Sequence, residues 1–269
     1  MARINDLCKK AKIALKNKYG KRTDKSGYVN WPQENLLPGV TLEQFEAELR
    51  EGDGNELRMK FCAVHSSAAL AVNCFAPFKR GRELRLFGKD GGKITFEKKL
   101  KIFDDRRGPN IDVWIERGDE VIAVESKFLE YFEAKEAKFE TVYEQLAPPR
   151  TEQCWWNVYL QARDGPKQHL DRAQLVKHYF GLKRFRGDAE IPRITLLYIF
   201  WEPEDWEKIE LCKRHREEVE EFHAAVSSSN VSFEWMTYNQ LWEEWRAVPG
   251  LVYHAENLRA RYAVQLDLD

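Results

Sequence analysis

Cysteine is scarce in this chain of 269 residues, and no two cysteines stand as Cys-x-x-Cys. Cys8, Cys62, Cys74, Cys154 and Cys212 are odd in number and widely scattered. That argues against a disulfide framework and against zinc, and leaves free, mostly buried thiols. There is no run of 18 apolar residues, so no transmembrane helix is expected. Residues Met1 to Asn30 lack the apolar core of a secretion signal, so the chain reads as cytoplasmic and without a membrane partner. Internal repeats, low-complexity tracts, helix-turn-helix patterns and zinc fingers are all missing. The net charge of −1 is not that of a passive nucleic-acid coat.

What is present is a core. Hydrophobic residues make up 43% of the chain, and nine are Trp, enough for one large domain or two small ones. Charge is unevenly placed. Residues 1–28 hold nine Lys/Arg against Asp6 and Asp24, and residues 79–107 hold eleven against five acids. Acids gather instead around 202–221. Basic segments flanking an acidic site could hold phosphates, although ordinary solvated surface would look the same.

The hydrophobic pattern divides the chain into elements. A basic amphipathic helix is expected at 4–19, a loop at 20–38 and a short helix from Thr41 through Leu49. Asn55 caps an expected helix to about Phe75, with Leu57, Phe61, Val64, Ala68, Ala71 and Phe75 as its apolar stripe. Strands are expected at about 83–87 and 94–103. Helical pattern returns from Phe128 to about 163, broken at Pro148-Pro149, and again at 170–182. Ile194 to Trp201 reads as a fully buried strand, 204–226 as a charged helix, Val231 to Tyr238 as a last strand and Asn239 to Trp245 as a short helix. The division is a basic extension at 1–40, a main domain at 41–245 and a C-terminal tail at 246–269.

The most informative stretch runs from Pro109 to Lys127. Residues 110–116 and 121–127 alternate as strands, and Arg117-Gly118-Asp119-Glu120 carries hairpin-turn residues. Either even register pairs 116 with 121, 114 with 123 and Asp112 with Glu125. Opposed Cβ atoms lie only about 5 Å apart, so these carboxylates repel unless a metal ion or the Lys127 ammonium sits between them. Two oxygen-rich side chains on adjacent strands suit a hard cation such as Mg²⁺ or Mn²⁺.

Pro109, Asp112, Glu125 and Lys127 resemble the motif of the PD-(D/E)XK nuclease superfamily, with Asn110 and Ile111 inserted between Pro and Asp. The segment Glu56-Leu57 followed by His65 to Asn73 is similar to a family of bacterial restriction-endonuclease-like proteins. The resemblance covers roughly residues 50–240. It implies an α/β fold with an αβββαβ core, a central mixed sheet flanked by helices. It also implies a metal-dependent deoxyribonuclease, such as a restriction or repair endonuclease, acting on DNA, and relatives that often work as homodimers. The clustered cysteines of its iron–sulfur members are missing here.

On that resemblance Asp112 and Glu125 bind the ion, together with the backbone carbonyl of Ser126 and with Glu56. Lys127 orients the attacking water or neutralises charge on the phosphate. Glu56 reads equally as a favourable acid at a helix N-terminus, and Lys127 as a salt-bridge partner of Glu125. Gln174, Lys177 and His178 form a polar stripe, from which a Gln or Lys reaches the active site in relatives; a solvated helix face is the plainer reading. Arg106 and Arg107 are candidates for phosphate contacts. Trp155-Trp156 is expected to pack in the core, and His65, His169, His215 and His223 to be structural or surface groups. A catalytically idle nuclease-like module binding nucleic acid or protein is the main alternative; a retaining glycosidase fits Lys127 and the basic flanks poorly.

Overall fold

The computed structural model describes residues 4–51, 60–189 and 193–266. A small ribbon, β1 (Arg85–Leu86) and β2 (Lys89–Asp90), precedes the main sheet. The main sheet consists of β3 (Lys93–Lys99), β4 (Asn110–Arg117), β5 (Glu120–Lys127), β6 (Arg193–Phe200) and β7 (Val231–Thr237), in that spatial order. The first three strands are an antiparallel meander, and β6 and β7 add in parallel. Antiparallel neighbours need only short connections, whereas the parallel pairs require crossovers, which helices supply.

Helices cover both faces: α1 (Ile4–Tyr19), α2 (Glu46–Glu51), α3 (Ser67–Phe75), α4 (Gln153–Asp164), α5 (Arg172–Ala189), α6 (Glu210–Val226), α7 (Tyr238–Arg246) and α8 (Val252–Tyr262). The αβββαβ order of a restriction-endonuclease-like core is therefore present, in a mixed sheet flanked by helices.

Strand alternation decides which side chain meets which layer. In β5, Ser126 turns to one face, where its hydroxyl lies 2.6 Å from Tyr238 of α7. Glu125 and Lys127 turn to the other face, toward α5. In β4, Trp114 packs edge-on against Phe185 of α5, so Asp112, two residues away, shares that face. Burial on both faces leaves β5 and β6 almost wholly enclosed, which explains their continuous apolar runs.

Two expectations need correction. The start of the helix expected from Asn55 lies outside the described residues; within them the segment turns at 61–65, and an α-helix begins at Ser67, capped by Ser66, whose side chain accepts the Ala69 N–H at 3.2 Å. Cys62 and Val64 instead exchange backbone hydrogen bonds with Val29 and Gly27, so they are not free to bond along a helix. Phe61 and Val64 are buried all the same, and their spacing mimics a helical stripe.

Between Phe128 and Gln153 the chain forms only short 3₁₀ turns, at Glu130–Phe132 and Thr141–Leu146, where a helix was expected. Lys135 there pairs through its backbone with Gln168, which diverts the bonds a helix would need.

The segment expected as a tail carries α8, in which His254, Ala255, Leu258, Arg261 and Tyr262 are buried. Tyr262 anchors it: its carbonyl accepts Trp201 Nε1–H at 2.9 Å and its hydroxyl accepts from Asn73 at 2.7 Å.

Candidate active site

The site is built at the open end of the β4–β5 hairpin. The ladder runs from Arg117↔Glu120 through Glu116↔Val121 and Trp114↔Ala123 to Val113↔Val124, so the loop is the two-residue Gly118-Asp119. Gly118 has φ of 60°, the left-handed setting that a two-residue hairpin demands of its first central residue. This is the even register, and it places Asp112 across from Glu125.

Beyond Val113 the ladder gives way to a side chain. Asp112 Oδ2 accepts the Ser126 N–H at 2.7 Å, which fixes its carboxylate beside Glu125. On its other side Asp112 faces Glu97 of β3, because Phe96↔Val113 and Lys98↔Ile111 bracket that pair. Glu97 holds a left-handed backbone, φ 52°, uncommon for a residue with a side chain. Its carboxylate accepts from Asn110 Nδ2 at 3.3 Å.

Glu125 is 1% exposed and Lys127 8%. Lys127 Nζ lies 2.6 Å from Glu125 Oε1, and it donates to Gln174 Oε1 at 2.7 Å. Glu125 Oε2 meets Nε2 of the fully buried His178 at 2.7 Å. Gln174 and His178 stand one turn apart on α5, so one helix grips both ends of the Glu125–Lys127 pair.

Electrostatics separate the two acids. Burial pushes the Glu125 carboxyl up, but the Lys127 ammonium and His178 outweigh it and hold it down at about 2. Burial and then repulsion from Glu125 push the Asp112 carboxyl well above its ordinary 3.8, against the opposing pull of Lys127. Burial disfavours the Lys127 ammonium, yet Glu125 and Asp112 raise its pKa overall. Like charges on adjacent strands thus push the two carboxyls apart, Glu125 downward and Asp112 upward.

A cleft of about 820 Å³ opens onto this cluster. Asp112, Gln174 and His178 reach it from the sheet and α5, and Lys99, Lys101, Arg106 and Arg107 line it along with Glu97. Gly108 closes its wall: a Cβ there would fall 1.9 Å from the Leu100 carbonyl oxygen, so only glycine permits the approach. Arg106 pairs with Glu140 and, at 3.7 Å, with Asp105.

Other expected residues fall elsewhere. Lys177 turns away from the cleft, donating to the Lys138 carbonyl at 2.8 Å beneath the rings of Phe139 and Tyr143. Glu56 lies outside the described residues. Trp155 is fully buried and stacks on Tyr179 at 4.2 Å, a core role. Asn73 and Ser66 are structural, tying α3 to its neighbours and capping it. Two residues of the site are not foreseen in the chain. His178 belongs to the polar stripe, whose plainer reading is a solvated face, yet it is fully buried against Glu125. Glu97 carries no signal, since only the β3 register brings it opposite Asp112.

The donor set suits a hard divalent cation. Among the described residues no three His, Cys, Asp or Glu side chains gather as a complete ligand cage. Two carboxylates do converge, and the buried Glu125 Oε1 is met, among the described residues, by Lys127 Nζ at 2.6 Å. One or two carboxylates with retained waters is the coordination Mg²⁺ commonly takes.

The family model for the restriction endonuclease associating with ARP matches residues 6–263. The chain belongs to that family. No curated protein and no solved structure matches it. The match runs from within α1 to the end of α8.

Proposed function

We propose that the chain is a divalent-metal-dependent nuclease that hydrolyses phosphodiester bonds in DNA. The observation that carries this reading is the buried Glu125–Lys127 pair beside Asp112, which itself lines a cleft together with lysines and arginines. Asp112 and Glu125 would hold Mg²⁺ or Mn²⁺, with the Ser126 carbonyl as a third oxygen; Ser126 points its N–H toward β4, and in an extended strand the carbonyl of the same residue points the same way. A bound ion supplies a polarised phosphoryl oxygen and a water of lowered pKa.

The remaining work falls to side chains. Lys127, fixed by Gln174, holds positive charge where negative charge grows during attack on phosphorus. Arg106, Arg107, Lys99 and Lys101 orient the phosphate backbone along the cleft. No helix among the described residues is long and apolar enough to cross a membrane. Cutting both strands would favour a homodimer, and the association with ARP named for the family would extend to this member.

The test incubates plasmid, linear duplex and single-stranded DNA with Mg²⁺ or Mn²⁺. Native protein should cut at least one of them, and Glu125→Ala and Lys127→Ala should not. Cleavage surviving in both variants would remove the assignment from these residues.

A further inference from the structure

His178 is fully buried, and its Nε2 lies 2.7 Å from Glu125 Oε2. Its Nδ1 has no hydrogen-bond partner among the described residues. An ionised carboxylate only accepts, so Nε2 carries the hydrogen and the tautomer is set by Glu125. The hydrogen bond occupies one carboxylate oxygen and leaves the other, Oε1, beside Lys127. A buried imidazole placed only for packing would need no such bond, and an aliphatic side chain would fill the space without the cost of an unpartnered Nδ1.

We propose that His178 is a positioning residue: by donating Nε2–H to Glu125 Oε2 it fixes the carboxylate so that Oε1 is the oxygen offered to a divalent cation. This role rests on the metal-dependent reading of the site. It also assigns α5 a double task. Gln174 sets the Lys127 ammonium and His178 sets the Glu125 carboxylate, four residues apart on one helix face. Outer partners of ligating groups commonly govern metal affinity by about 10- to 100-fold when they are removed.

The test reads Mn²⁺ affinity directly, from the electron paramagnetic resonance signal of the free ion during titration. His178→Leu, similar in volume but without a donor, should weaken Mn²⁺ binding by about 10- to 100-fold. His178→Gln, whose Nε2 can reach Glu125, should recover most of that loss, and the shorter His178→Asn should not. Circular dichroism and thermal melting report whether each variant folds. If the Leu variant does not fold, the Gln and Asn variants still decide the matter. Native affinity in a folded Leu variant, or equal native affinities for Gln and Asn, would overturn the role. Absence of Mn²⁺ uptake by the native protein would remove the metal reading itself, and this role with it.

Discussion

Glu125 is the residue on which the site turns, because its charge is buried and answered from two sides. Removing one member of a buried ion pair strands the other and costs about 3–5 kcal/mol. Glu125→Ala should therefore destabilise the protein by that amount in urea unfolding as well as abolish cleavage, whereas a surface ion pair such as Arg246–Glu243 should contribute less than about 1 kcal/mol.

The two acids also have opposite pH signatures. Glu125 is held at about 2, below its ordinary 4.5, so its contribution is complete above 4.5 and is lost as pH falls toward 2. Asp112 is raised above 3.8, so the metal-free protein loses stability as pH climbs from there through the raised value. Asp112→Asn should flatten that decline in denaturation curves taken across pH; an unchanged slope would contradict the assignment.

Asp112, Glu125 and Lys127 are legible in the chain because one hairpin brings them together within 16 positions, and the period of 2 fixes their face. His178 and Glu97 are not legible in the same way. Their partners lie on other elements, and nothing local in the chain announces a bond from α5 to β5 or a register between β3 and β4.

At the scale of elements, strands are more legible than helices. Val-, Ile- and Trp-rich runs around Val113, Val124 and Leu197 are buried on both faces and leave no alternative to a central sheet. The helix expected to run unbroken to Phe75 is interrupted at 61–65, where Phe61 and Val64 are buried from turns, and burial alone produces an apolar stripe without helical backbone. The hairpin itself can be tested. Nothing lies within 4 Å of a Cβ placed on Gly118, so any penalty for Gly118→Ala comes from its φ of 60°. A loss of about 1–2 kcal/mol in urea unfolding is expected. Trp114 plays a different part: it is fully buried against Phe185 and thereby seats α5 on β4. Trp114→Ala should cost about 3–5 kcal/mol and loosen the helix that carries Gln174 and His178.

At the scale of the whole molecule, one end of the sheet collects acids inside a basic cleft, although the chain as a whole is nearly neutral. On the proposed reading this distribution, not the net charge of −1, is what would hold DNA. Replacing Arg106 and Arg107 together by Ala should weaken DNA binding and lower the slope of log affinity against log salt by about 2, one for each phosphate no longer neutralised. An unchanged slope would place DNA elsewhere. The central claim is that Asp112 and Glu125 together hold one divalent cation beside Lys127. Isothermal titration of Mn²⁺ into the native protein and into Asp112→Asn at neutral pH tests it most directly. The native chain should take up the ion at a single site, and the variant should lose that heat. A flat native titration, or the same binding curve from both proteins, would contradict it.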